Sequence, residues 1–291
     1  MYIELFEIIS PIFICALIGF AWRKSDRTFD VATITDLITA IGTPCLIFST
    51  LITVKVKLDS LTEMAIAAGV STIGFGIIGY FTLKLMRLDH RIFLPATMFG
   101  NVGNMGLPLT LFAFGEPGLA LGIIYFTVNV FLLFTLGPAI AIGSLSIHNL
   151  IRLPFIYAIL GALFFLTLEI AVPHWLFTTT KLLGDMMIPL MLITLGVSLA
   201  QLQIKNIKHS LLISLTRLGG GIGVGLLTAE VFDFNNIEKG VLVLQSAMPV
   251  AVFAYLFAEK FGTQSEDVAS SILVSTGISF LTLPVLLKFL L

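Results

Sequence analysis

Ten stretches of roughly twenty apolar residues, divided by short charged or turn-forming segments, occupy almost the whole chain. They run near 5–22, 31–53, 62–83, 92–114, 118–143, 151–171, 175–200, 209–231, 239–258 and 267–289. A helix needs about 20 residues to cross the hydrocarbon core of a bilayer, and these stretches are of that size. Their apolarity is continuous rather than confined to one stripe, the pattern of helices surrounded by lipid and by other apolar helices. The expected class is therefore an all-α integral membrane protein with ten transmembrane helices. Charge agrees: Asp, Glu, Lys and Arg make up 11% of the residues, against about 25% in a soluble domain. Mean hydropathy is +1.06. A soluble enzyme is excluded, and little length remains for an aqueous domain.

The net charge of -1 provides no basic patch for nucleic acid, so none is expected as a partner. Cys15 and Cys45 both fall in apolar stretches without CxxC spacing and read as small buried hydrophobes. Glu4 and Glu7 precede the first stretch while Arg23, Lys24 and Arg27 follow it, which marks a retained helix rather than a cleaved signal. Lys and Arg in alternate loops number ten on one side (Arg23, Lys24, Arg27, Lys84, Arg87, Arg91, Arg152, Lys205, Lys208, Lys260) and four on the other (Lys55, Lys57, Lys239, Lys288). The positive-inside rule then puts both termini outside the cytoplasm of a cell membrane.

Prolines within the stretches pair in order between the two halves of the chain. Pro11 and Pro154 lie 143 positions apart, Pro44 and Pro189 145, Pro108 and Pro249 141, and Pro138 and Pro284 146. The third and eighth stretches lack proline and are both Gly-rich. Each interior proline removes a backbone N–H and marks a bend or an interruption. Two five-helix repeats are expected, 1–147 and 148–291. Because each holds an odd number of spans, the second enters from the opposite face, giving an inverted repeat of the kind found in secondary transporters.

In such folds, solute sites form where matched helices are interrupted near mid-membrane. The fourth stretch carries Gly100-Asn101-Val102-Gly103-Asn104-Met105-Gly106-Leu107-Pro108 at its centre, and the ninth carries Gln245-Ser246-Ala247-Met248-Pro249. Unpaired backbone groups in hydrocarbon cost several kcal/mol each, so an unwound segment must be satisfied by protein or by a polar cavity. Pro108 and Pro249 suit the first turn of a new half-helix, with Asn104 and Ser246 as candidate caps. Two half-helix N-termini would then offer free N–H groups to an anion. The alternative is that the asparagines only tie helices together.

"NVGNMGLPL" in the fourth of ten helices, a proline break in the ninth and "STGISFLTLP" in the tenth resemble the auxin efflux carrier family of membrane transporters over essentially the whole chain. The resemblance implies two inverted five-helix repeats with broken, crossing helices four and nine, similar in fold to bile acid-sodium symporters. Scaffold and transport bundles would each draw on both repeats. It further implies a small organic anion as solute; prokaryotic members are described as malonate or malate permeases. Carried over, the solute-binding positions are Asn101, Gly103, Asn104, Gly106 and Pro108, with Gln245, Ser246 and Pro249. The long loop that plant members carry between helices five and six is missing, since "SLSIHNLIR" is all that stands there. Auxin specificity is thereby put in doubt.

Ionisable residues within the stretches are few: Asp36, Lys181, Asp185 and Arg217. Lys181 and Asp185 lie one turn apart and can form a charge lock. Asp36 and Asp185, close to Pro44 and Pro189, could instead couple transport to Na+ or H+. Arg217 either grips an anion or snorkels to the interface. Gly74-Phe75-Gly76-Ile77-Ile78-Gly79 matches GxGxxG but lies inside an apolar stretch, so helix packing is its reading, and Glu266-Asp267 reads as a helix start. No enzyme motif, cofactor or metal site is expected. The expected function is secondary transport of a small carboxylate by alternating access. An uncoupled facilitator of a neutral or weak-acid solute, a transporter-like membrane sensor and assembly as a homodimer stay open.

Overall fold

The computed structural model describes residues 2–54, 58–143, 153–255, 258 and 265–291. Its helices are α1 (Tyr2–Lys24), α2 (Val31–Leu37), α3 (Thr43–Thr53), α4 (Leu58–Met86), α5 (His90–Met98), α6 (Leu107–Ile142), α7 (Pro154–Thr167), α8 (His174–Asp185), α9 (Met187–Gln201), α10 (Ile207–Val231), α11 (Asn236–Ser246) and α12 (Ser265–Leu290). Five-residue π-helical segments, Ile38–Gly42 and Val102–Gly106, precede α3 and α6. Among the described residues there is no strand, only one antiparallel bridge between Gly100 and Val250. Seven helical runs there are long and apolar enough to cross a membrane, and Pro154–Thr167 is a shorter apolar helix. Lys55, Lys57, His148, Arg152 and Lys260, all of them in the expected loops, lie outside the described residues.

The exterior is apolar where a soluble protein would be charged. Ile66, Ile73, Ile77 and Phe81 of α4, and Leu281, Val285 and Phe289 of α12, point outward, as a bilayer requires of surface that water does not cover. Inside, small residues set the spacing between helices. A Cβ on Gly19 would overlap the Ile193 carbonyl, and one on Gly196 the Ala16 carbonyl, so α1 and α9 run in backbone contact. The GxGxxG segment does the same: Gly74 faces Val224, Gly76 faces Met98 and Gly79 faces Thr97. It is a packing surface, as its position inside an apolar helix predicts.

Prolines act one turn upstream of where they stand. A proline ring clashes with the carbonyl four residues earlier. Accordingly the π-helical segment Ile38–Gly42 precedes Pro44, and the break between α8 and α9 at Met186 precedes Pro189. At Pro11, Pro138 and Pro284 there is no interruption: α1, α6 and α12 each continue through them. Pro154 instead opens α7, where the missing N–H is no loss. Between the fourth and fifth stretches the chain turns at Gly115, whose φ of 65° with ψ of -163° suits glycine alone.

Acidic residues stand at the starts of α2 and α12. Asp30 accepts the amides of Ala32 and Thr33 and the Thr33 hydroxyl at the start of α2; the hydroxyl bond comes first among the causes that hold its carboxyl below the usual value. Glu266 and Asp267 occupy the first turn of α12, as expected of a helix start, and reach Lys205 (3.6 Å) and His209 (3.2 Å) near α10.

Candidate functional site

Helix α5 ends at Met98 and the chain runs extended through Phe99–Asn101; α11 ends at Ser246 and the chain likewise opens through 247–251. The two open segments cross and bond to each other. Asn101 donates its backbone N–H to the Pro249 carbonyl at 2.7 Å, and Ala251 donates to the Phe99 carbonyl at 3.1 Å. Val250 donates its N–H to Ser275 Oγ on α12 at 3.1 Å. These three bonds of the interrupted backbone run to main chain and one hydroxyl, and none of them uses an asparagine amide. Beyond the crossing, the Asn101 carbonyl accepts from Gly106 (3.1 Å) and Met105 (3.4 Å), which closes the wide π-helical turn leading into α6.

This geometry corrects the capping expectation. The new half-helix begins at Val102, so its capping position is Asn101 rather than Asn104, and neither it nor α6 takes a side-chain cap. Asn104 sits within the turn. Ser246 is the last residue of α11 rather than a cap for the segment beyond it, and its hydroxyl lies 3.2 Å from the buried Tyr125 hydroxyl. Pairing between distant segments decides where each helix opens, and it opens them about one turn away from the local Gly and Ser signals.

A cavity of about 420 Å³ lies against the crossing. Thr35, Asp36, Thr39 and Thr43 form one wall, Gly100, Asn101, Gly103 and Asn104 another, and Asn129 with Phe126, Phe155 and Phe253 complete it. Four predicted residues are therefore brought together: Asp36, Asn101, Gly103 and Asn104. Asn101 is buried at 6% exposure, and its side-chain Nδ2 has no hydrogen-bond partner among the described residues. A buried amide left unpaired costs about 1–3 kcal/mol, and this one belongs to a residue of the cavity lining. Asn129 is a lining residue that the sequence reading misses, although an amide in the middle of the apolar fifth stretch is a usable signal. Its Nδ2 donates to Thr72 Oγ1 at 3.3 Å.

The remaining predicted residues lie elsewhere. Gly106 packs on the Gln245 side chain, and Pro108 is the second residue of α6. Gln245 is fully buried between Gly106 and Gly122, with both amide atoms unpartnered among the described residues. Pro249 contributes its carbonyl to the crossing. Lys181 and Asp185 pair at 3.1 Å, with side chains 46% and 60% exposed, and line a second cavity of about 300 Å³ with Ser49, Thr50, Thr53 and Glu116. Arg217 does not snorkel. It is fully buried on α10, with Cζ 4.3 Å from the centre of the Phe75 ring and its guanidinium against Gly100.

A multi-pass membrane protein, all-helical in its described elements, with two interrupted helices crossing beside a cavity lined by both apolar and polar side chains, belongs by architecture among membrane transporters. Residues 4–141 and 138–287 match the family described as "Membrane transport protein", and the chain belongs to that family, the one to which the auxin efflux carriers resembled by its fourth-helix motif belong. It is similar to an uncharacterized transporter of Methanocaldococcus jannaschii, 27% identical over 224 residues and 72% of each chain. It is also similar to an uncharacterized transporter of Methanothermobacter thermautotrophicus, 26% identical over 273 residues, 88% of this chain and 87% of the other.

Proposed function

We propose that this transporter moves a small organic anion, a carboxylate such as malonate or malate, bound in the cavity at the crossing of helices four and nine. The observation that carries this reading is the buried, unpaired Asn101 amide on the wall of the cavity, beside the N-terminal end of the half-helix that begins at Val102. Free N–H groups and the partial positive charge of a helix start favour an anionic guest. Asp36 is the ionisable side chain of that lining, and we assign it the coupling of transport to Na+ or H+.

Ten spans in two inverted repeats, 1–147 and 148–291, form the accompanying architecture. The packing supports it: α1 runs along α9 and α7 along α3, which is the same pairing of spans one with seven and six with two when the halves are exchanged. Alternating access is supported by the two cavities. One borders the end of α2 and the beginning of α7, the other the end of α3 and the turn at Gly115, and the chain from α2 to α3 lines both. Between them Met187 is seated on Gly42 of the π-helical segment. Both termini lie outside the cytoplasm in this reading.

Reconstitution tests the function. Proteoliposomes holding the purified chain should accumulate labelled malonate or malate under an imposed Na+ or H+ gradient, and empty liposomes should not. Uptake equal to that of empty liposomes for every carboxylate tried, under each gradient and under voltage, overturns the anion reading.

A further inference from the structure

Arg217 has no neutralising partner among the described residues. It is fully buried, its Nε and both terminal nitrogens lack hydrogen-bond partners there, and no described carboxylate lies within ion-pairing distance. Arginine keeps its proton in proteins, and a charge in the membrane interior is expensive to hold. Besides the Tyr125 phenol, with which it interacts electrostatically, two weak compensations are present. The face of Phe75 lies 4.3 Å from Cζ. Gly100, which the guanidinium touches, stands two residues past the C-terminal end of α5, where free carbonyls carry partial negative charge. Neither replaces a counter-ion.

The position of the charge gives it a use. Gly100 lines the cavity, and a Cβ at this position would overlap the guanidinium. The Gly100 backbone therefore adjoins both the cation and the cavity, whose lining does not include Arg217. Among the described residues the cavity lining holds no Lys, Arg or His, and its ionisable group, Asp36, is an acid. Resting on the anion reading above, we propose that Arg217 is a positioning residue that sets the charge preference of the cavity through the Gly100 backbone without touching the solute. In a low-dielectric, water-poor interior a charge acts across several ångströms, and salt does not screen it as it screens an exposed charge.

The test separates charge from shape. Malonate and its uncharged diamide, malonamide, are titrated calorimetrically into purified wild-type protein and into Arg217→Met, which keeps an apolar stem beside Phe75. The malonate Kd should rise at least about tenfold in the variant, about 1.4 kcal/mol, with malonamide binding unchanged. Malonate and malonamide weakening together, or malonate binding unaffected, overturns the proposal while leaving the anion reading standing. Wild-type protein that binds no carboxylate overturns both. If Arg217→Met does not fold, wild-type protein decides: its preference for malonate over malonamide should persist between low and high salt. A preference that collapses with salt places its source on the exposed surface and overturns the proposal.

Discussion

The backbone N–H of Asn101 and the carbonyl of Pro249 form the shortest bond of the crossing, 2.7 Å between residues 148 positions apart. Proline has no N–H to leave unsatisfied, and here only its carbonyl is required. The Asn101 side chain is left uncommitted by this bond. Asn101→Ala should accordingly leave thermal stability in detergent nearly unchanged, since no described partner loses its bond. Carboxylate uptake should fall at least tenfold. Uptake at the wild-type rate removes Asn101 from the solute site.

Ser275 supplies the acceptor for Val250 N–H. Ser275→Ala leaves that donor buried and unpaired, which costs about 1–3 kcal/mol. Chemical unfolding in detergent should register the loss, and Ser275→Thr, which keeps the hydroxyl, should recover most of it.

Gly42 and Met187 occupy one another's space. Gly42→Ala drives a methyl into the Met187 side chain, an overpacking worth about 1–3 kcal/mol. Met187→Ala opens a void of comparable or larger cost. Combined, the two should be less destabilising than their sum, because each relieves the other. Strict additivity in the double-mutant cycle would show that the contact carries no energy.

Lys181 and Asp185 are too exposed to hold the fold together. Exposed ion pairs contribute about 0–1 kcal/mol, so Lys181→Met should shift the unfolding midpoint little. Any change in the ion dependence of uptake in that variant is then a functional effect, readable from transport under Na+ and H+ gradients. A large stability loss would instead make the pair a structural lock.

Asp30 caps α2 in water, and its hydrogen bonds lower the folded-state pKa. Its stabilising contribution is therefore present above the unfolded-state pKa and fades as pH falls through the folded-state value. The difference in melting temperature between wild type and Asp30→Ala should be full at neutral pH and shrink in strong acid. A pH-independent difference would mean that capping geometry alone, without ionisation, accounts for it.

Much of this was legible in the order of residues. Clusters such as Arg23-Lys24 and Lys84 to Arg91 mark helix ends because charge leaves hydrocarbon, and the structure turns there. The Gly and Asn run at 100–106 marks the fourth-helix break because nothing lipid-facing would carry it. The features that stayed hidden depend on partners far away in sequence. The opening at Phe99–Asn101 and the role of Ser246 come from bonds to 249–251 and to Tyr125. No local pattern shows whether Arg217 reaches the interface or is enclosed; that depends on Phe75 and Gly100 from other elements.

Because main chain does the joining at the crossing, the joint places little demand on side-chain identity at Asn101 and Asn104. Selection can therefore revise those two positions, and with them the solute accepted, without taking the joint apart. Gly100 does not share that freedom, pinned as it is between cavity and guanidinium. Substitutions at 101 and 104 should therefore change solute binding before they change the fold, and a substitution at 100 is expected to be tolerated only together with one at 217.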